Sequence, residues 1–347
     1  MLYMRPALLA SALAVSVLAP AQERQLPPGV TGEIDAAIRR GLDWLASQQG
    51  NDGAWRERGG YGAYPAAMTG LSGMAFVAAG STPTRGQYYR EVRSATQFLM
   101  RCAHSQNGLI SVPSEEGRPM YGHGFGTLFL ASVYGMQEDL HTQDRLKGVL
   151  DRAVELVGSS QTTNGGWNYS PGMTTDEGSV TVTQLQALRA CHMAGIVVDK
   201  KIIDRATGYL RQSQNADGGL RYSLSMSSGG ESRPPITAAG VVVFYSAGVY
   251  DDQPFVEKAF RYCQNHIDTT VGAGQHDYYA HLYWSQAQYQ RGGTSWSDYY
   301  GKRAAWLLRQ QEKNGSWSGD GVGNIYGTAV ALITLQLPYS LVPIYQR

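Results

Sequence analysis

The chain has 347 residues, and 43% of them are hydrophobic, which supplies ample apolar surface for a large core and excludes a disordered chain. Lys and Arg (29) nearly cancel Asp and Glu (28), leaving a net charge of +1 with no basic run, so the field that a nucleic-acid binder needs is missing. Cys102, Cys191 and Cys263 are too widely spaced for a Cys-x-x-Cys metal pair or a disulfide framework and read as small buried hydrophobes.

In chain order, the first feature is an export signal. Arg5 precedes an apolar stretch from Ala7 to Ala19, and Ala19-Pro20-Ala21 has the small-x-small form of a cleavage site. The stretch is well short of the ~20 residues that span a bilayer. A periplasmic or secreted chain, cut near Ala21 and without a stable transmembrane span, is expected; an N-terminal membrane anchor is the alternative. Residues 22–32 read as a linker, 33–337 as one domain and 338–347 as an aromatic, Pro-containing tail that either folds back or meets a partner.

The domain is repetitive. Trp44-Leu45, Gln49, Gly53 and Trp55 set a pattern that returns with identical spacing at Trp306-Leu307, Gln311, Gly315 and Trp317. Leu156-Val157, Gln161, Gly165 and Trp167 repeat it, as do Tyr209-Leu210, Gln214 and Gly218, with Leu220 in place of the last Trp. A worn copy runs through Phe98-Leu99, His104, Gly108 and Ile110, and the weakest through Phe260, Tyr262 and Asn265-His266. The count is six. In each unit an amphipathic helix ends at the Gln, a Gly-rich turn follows, and a second helix is apolar on every side. Those second helices are expected at 69–79, 124–134, 180–194, 237–247, 279–290 and 326–336. Charged first helices outside and apolar second helices inside make an all-α, (α/α)6 toroid, closed so that no capping repeat is needed.

The Gln-x3-Gly-x-Trp motif after an aromatic-Leu pair resembles the QW repeat of squalene cyclases and the related prenyltransferase β subunits, over residues from about Ile34 to Leu337. The resemblance implies a central cavity lined by the inner helices, suited to an apolar or isoprenoid-like ligand. It does not bring the family's catalytic motifs. The Asp-x-Asp-Asp acid of the terpene cyclases is absent, and Asp251-Asp252 falls in a connector. At the zinc positions of the prenyltransferases stand Tyr279, His281 and Gly327, of which only His281 is an expected ligand.

The Trp, Gln and Gly of the repeat are expected to be structural, with Gln bonding backbone groups and Trp stacked over it. Chemistry is expected where the inner helices begin, at one mouth of the ring. Candidate acid–base residues are His123, Asp176, Glu177, Asp277 and Tyr279, and His276 with His281 are the candidate zinc ligands. Asp176 and Glu177 are equally suited to capping a helix. Tyr121, Phe125, Phe244, Tyr278, Tyr283, Trp284 and Tyr326 are the expected ligand contacts, with Phe76, Phe129 and Tyr245 also expected in the cavity wall. Two functions fit: a cavity that takes an apolar or amphipathic small molecule, or a non-catalytic scaffold that binds a protein or peptide partner.

Overall fold

The computed structural model describes residues 25–246, 253–269 and 276–346. The expected export signal and Asp251-Asp252 lie outside them. Among the described residues six outer helices, α1 (Gly32–Ser47), α3 (Tyr89–Cys102), α5 (Leu140–Ser159), α7 (Lys200–Gln212), α9 (Gln253–His266) and α11 (Gly293–Gln310), surround six inner ones. The inner helices are α2 (Pro65–Ala78), α4 (Pro119–Val133), α6 (Gly178–Met193), α8 (Pro234–Ser246), α10 (Asp277–Arg291) and α12 (Asn324–Gln336). Each inner helix packs on the next and α12 packs back on α2, so the ring closes as an all-α toroid of six hairpins.

The two layers follow from their residues. Thr31 Oγ1 accepts the Ile34 N–H to start α1, whose buried Ile34, Ile38, Leu42 and Leu45 return every three or four residues while Arg39 and Arg40 face solvent. Helix α2 is buried at every position, as a sequence without charge allows. The inner helices begin two to five residues earlier than the periodicity predicts. Pro65, Pro119 and Pro234 open three of them, because the first turn has no use for the N–H that proline lacks.

The repeat motif is a stitch between hairpins. Gln49 Nε2 donates to Gly53 O in its own turn and to Glu91 O on the next outer helix, at 2.9 and 3.0 Å. Gln161 and Gln214 do the same to Ile202 O and Phe255 O, and Gln311 closes the circle on Ala37 O of α1 at 2.9 Å. The motif glycine lies against the same neighbour. Gly315 has φ 97°, and a Cβ there would sit 2.6 Å from Arg40 O, so only glycine allows the approach. The indole N–H groups of Trp55, Trp167 and Trp317 donate to Leu45 O, Val157 O and Leu307 O, each at 2.7 Å. Their backbone N–H groups donate to Thr69, Thr181 and Thr328 on the inner helices. These three tryptophans therefore tie outer to inner helix within their hairpins through hydrogen bonds.

A second set of bonds clasps the N-termini of the inner helices, each reached from the following repeat. Glu116 accepts from Ala66 N of α2, Glu57 from Tyr326 N of α12, and Asp320 from Tyr278 N and Tyr279 N of α10. For α4 and α6 the acceptors are the backbone oxygens of Tyr169 and Tyr222, bonded by Met120 N and Gly178 N. Burial pushes the Glu116 carboxyl up to about 7, against the hydrogen bonds from Val112 and Ala66. A raised carboxyl binds its proton more tightly in the folded chain. Its contribution to stability is therefore full below about 4.5 and is lost as pH rises through about 7, a swing on the order of 3 kcal/mol. Urea unfolding of wild type and Glu116→Gln should show the wild type losing stability relative to the variant across that window. A constant difference would refute the shift.

The ring is not a through-hole. Gln186 Nε2 bonds Gln286 Oε1 at 2.7 Å between α6 and α10, which are not neighbours in the ring, so side chains bridge the axis. The tail folds back on the side where the inner helices end. Val342, Ile344 and Tyr345 are buried there, and Tyr289 near the end of α10 bonds Ser340. The remaining space is at the opposite mouth.

Candidate functional site

A cavity of about 800 Å³ opens among the N-terminal ends of α4, α6, α8 and α10. Its position follows from the clasps. Among the described residues no oxygen from the fifth repeat, whose motif is the most worn, accepts an N–H at the start of α8; the Cys263 thiol of α9 reaches Pro234 O at 3.9 Å instead. Pro234 and Pro235 carry no N–H there and require no acceptor. Both prolines, with Ile236, form one wall.

Tyrosines form much of the rest: Tyr61, Tyr121, Tyr169, Tyr222 and Tyr279. The Tyr169 and Tyr222 hydroxyls bond each other, and the Tyr121 hydroxyl bonds Ser179 Oγ at 2.5 Å. Tyr279 donates to Ser179 O at 3.3 Å. The hydroxyls are thus largely spent on one another, and the rings face the space. Arg118 and Arg233, both exposed, stand at the rim; the Arg118 guanidinium lies 4.3 Å from the centre of the Tyr169 ring. His266 and His276 are also on the rim, and His276 holds a left-handed φ of 76° where α10 begins.

Glu177 is one of two buried carboxylates in this wall, the other being Asp277. Glu177 caps α6, accepting from Ser179 N at 3.0 Å, Val180 N at 2.7 Å and the Ser179 hydroxyl. Burial pushes its carboxyl up, opposed by those bonds. Asp176 beside it behaves differently. It accepts from Asn164, Tyr209, Ser223 and Leu224, and although burial works to raise its pKa, the hydrogen bonds hold it below the usual range. Asp176 is consumed in pinning the loop after α7 and does not line the cavity.

Of the residues that the sequence nominates, Tyr121, Glu177, His276, Asp277 and Tyr279 are brought to the cavity. Others are placed elsewhere, for definite reasons. His123 is fully buried, its Nδ1 accepting from Ile110 N and its Nε2 donating to Ala153 O. It occupies in the second repeat the position that Thr69, Thr181 and Thr328 hold in theirs, and burial holds its pKa down at about 4. His281 is the counterpart in the fifth repeat. Its Nδ1 bonds the Tyr299 hydroxyl and its Nε2 bonds Asp268 O, so neither nitrogen is free for a metal. Among the described residues no three His, Cys, Asp or Glu side chains converge as metal ligands, and His276 with His281 does not fit zinc.

Four of the expected aromatic contacts, Phe76, Phe244, Tyr278 and Trp284, face the outer ring. Phe244 packs on Phe255 of α9, Trp284 on Phe260 and Tyr299, and Phe76 between Trp55 and Tyr88. Tyr278 meets Trp306 edge-on. The Phe129 ring lies against Gly73 and the buried Phe125 brings its backbone against Gly70 where α2 meets α4, and Tyr326 is buried beside Gly319. Tyr283 reaches inward to Thr183 and Tyr279 but lies below the cavity floor, and Tyr245 is half-buried beside Arg291. On an inner helix that is apolar all round, the large rings turn to the interface between layers, where most area is buried.

Arg118, Tyr169, Ser179, Tyr222 and Arg233 line the cavity without having been singled out from sequence. Tyr169 and Tyr222 carry a signal: both stand two residues after the last motif position, where Glu57 stands in the first repeat.

No family model matches the chain, and no curated protein is similar to it. Solved structures do match. The type II terpene cyclase MstE from Scytonema is 16% identical with a TM-score of 0.62, the match covering 90% of this chain and 100% of the cyclase. This is an α/α toroid. The α-1,6-mannanase GH76A from Salegentibacter sp. HEL1_6 superposes with a TM-score of 0.66 at 9% identity, over 89% of this chain and 99% of that one. A protein from Actinoplanes gives a TM-score of 0.62 at 17% identity over 89% and 99%. At these identities the likeness is one of fold, shared by enzymes of unrelated chemistry. Among the described residues no helix is long and apolar enough to cross a membrane.

Proposed function

We propose that this toroid is an exported protein that binds an amphipathic small molecule, its isoprenoid-like apolar part against the tyrosine wall and its polar head at Arg118 and Arg233. One observation carries the reading: the hydroxyls of Tyr169 and Tyr222 bond each other and those of Tyr121 and Tyr279 bond Ser179, so these rings offer a ligand apolar surface beneath Arg118 and Arg233. Glu177 is committed to the α6 N-terminus and Asp277 to Arg303, while Arg118 and Arg233, the latter 4.0 Å from the exposed Glu231, place positive charge at the rim. A variant of the Scytonema cyclase is known in complex with geranylgeranyl dihydroxybenzoate, an isoprenoid ligand held in the same fold.

Titration calorimetry with farnesyl diphosphate, farnesol and inorganic diphosphate tests this. Farnesyl diphosphate should bind saturably and about tenfold or more tighter than farnesol. The double variant Arg118→Ala/Arg233→Ala should lose that preference and keep farnesol. Inorganic diphosphate binding as well as the prenyl compound would remove the apolar half of the reading. If neither prenyl compound binds, the reading fails and the scaffold alternative takes its place.

A further inference from the structure

Three hydrogen bonds cross the ring axis between α6 and α10, one above another. The Tyr279 hydroxyl donates to Ser179 O at 3.3 Å, Tyr283 meets Thr183 Oγ1 at 3.4 Å, and Gln186 donates to Gln286 at 2.7 Å. The partners in each bond stand 100 residues apart, two repeats on. Along both helices the steps are four residues and then three, so the bonds are rungs of one ladder, a turn apart. Thr183 gives its own proton to Ser179 O, and the Tyr283 hydroxyl therefore donates to Thr183.

Only the top rung meets the cavity. Tyr279 and Ser179 line it, whereas Tyr283, Thr183, Gln186 and Gln286 are buried beneath. The level of that rung explains where the space lies. In the six hairpins the position is held by Ala67, Tyr121, Ser179, Pro235, Tyr279 and Tyr326, each two residues before the aligned threonine or histidine. The small residues of α6 and α8 stand next to each other and leave room. Tyr121 and Tyr279 reach into it from α4 and α10 and both bond Ser179.

We infer that Tyr279 is the floor on which the far end of a ligand chain rests, and that it selects ligands by length. The inference rests on the cavity reading above. A chain whose polar head is held at Arg118 and Arg233 runs inward past the tyrosine rings to the top rung. Each added isoprene unit buries apolar surface until the end meets Tyr279. The next unit finds no space, because Tyr283 packs edge-on beneath, with ring centres 5.1 Å apart. Removing the Tyr279 phenol lowers the floor to Tyr283, about 6 Å further along the helix, which admits one more unit.

Calorimetry with geranyl, farnesyl, geranylgeranyl and geranylfarnesyl diphosphate tests this. In the wild type, affinity should rise with chain length up to one member of the series and then stop rising. Tyr279→Ala should move that limit one member longer. The first chain beyond the wild-type limit should bind this variant about tenfold or more tighter than it binds the wild type. Tyr279→Trp should move the limit one member shorter, so the assignment does not depend on a single variant staying folded. Tyr279→Phe loses the bond to Ser179 but keeps the ring, and should keep the limit. Tyr61→Ala, at the exposed rim, should leave the limit where it is.

A limit unmoved by both Tyr279→Ala and Tyr279→Trp would overturn the inference and leave the cavity reading standing. A limit moved as far by Tyr61→Ala, or an affinity that climbs through the whole series in the wild type, would do the same. A wild type that binds none of the four compounds would remove the cavity reading and the floor together.

Discussion

Replacing Trp317 by alanine is expected to cost about 3–5 kcal/mol, although Trp317 lies nowhere near the cavity. The indole is wholly buried and its N–H bonds Leu307 O, so truncation opens a large void and removes one of the two hydrogen bonds that this carbonyl accepts, the other coming from Gln311 N. Its position makes the effect greater than that of an ordinary core residue. A Cβ built on Gly41 of α1 would fall 2.6 Å from the Trp317 ring, so this tryptophan packs the sixth hairpin directly onto the first. Loss of the contact weakens the hairpin and the closure of the ring together. A urea denaturation series checks it, and Trp317→Phe should recover part of the loss by refilling the space. A midpoint within experimental error of wild type would show that the stitch is dispensable.

Asp277→Ala should be comparably severe, at about 3–5 kcal/mol, for an electrostatic reason. Asp277 Oδ2 meets Arg303 Nη2 at 2.8 Å, with side-chain exposures of 8% and 1%. Among the described residues Arg303 Nε and Nη1 have no acceptor, and the guanidinium otherwise lies on the Trp306 ring, 4.1 Å from its centre. Removing the carboxylate strands a buried charge. Burial raises the Asp277 pKa while Arg303 lowers it, the balance expected of a pair held together at a desolvation cost. The double variant Asp277→Ala/Arg303→Met removes both charges and should restore most of the stability in the same urea measurement. A double variant no more stable than the single one would show that the pair contributes by geometry and not by mutual neutralisation.

Histidine is where reading from sequence and reading from structure part. His123 and His281 attract attention because the residue type so often does chemistry, yet each stands where Thr69, Thr181, Thr237 and Thr328 stand in the sister repeats. In that alignment the side chain exists to accept an N–H from the motif turn: Trp55, Trp167, Leu220 and Trp317 donate to the threonines, and Ile110 donates to His123. Superposing the repeats on paper exposes the equivalence for His123. His281 departs further, because the fifth repeat has lost its motif and Tyr299 supplies the bond. The same alignment points to Tyr169 and Tyr222, which share the place of Glu57. In the first repeat that place clasps an inner helix with a carboxylate. In the third and fourth the backbone carbonyl makes the clasp, which frees the side chain to line the cavity.

The sequence by itself determined the architecture of this protein: six hairpins, with charged helices outside, apolar helices inside, and the Gln, Gly and Trp of each turn in structural roles. These properties are local and periodic. A Gln that bonds its own turn, a glycine with positive φ and a helix without charges carry their meaning within about fifty residues, and repetition multiplies the signal. Only the tertiary structure decided where the site lies. Glu177, Tyr121, Tyr169 and Tyr222 come from three repeats, and the bonds of Tyr121 with Ser179, Ser179 with Glu177 and Tyr169 with Tyr222 exist because the ring brings α4, α6 and the loop before α8 to one mouth. Which way an inner-helix aromatic turns is likewise set by the neighbour it packs on. On a helix that is apolar all round, no periodicity marks the face toward the cavity, and the choice falls to packing.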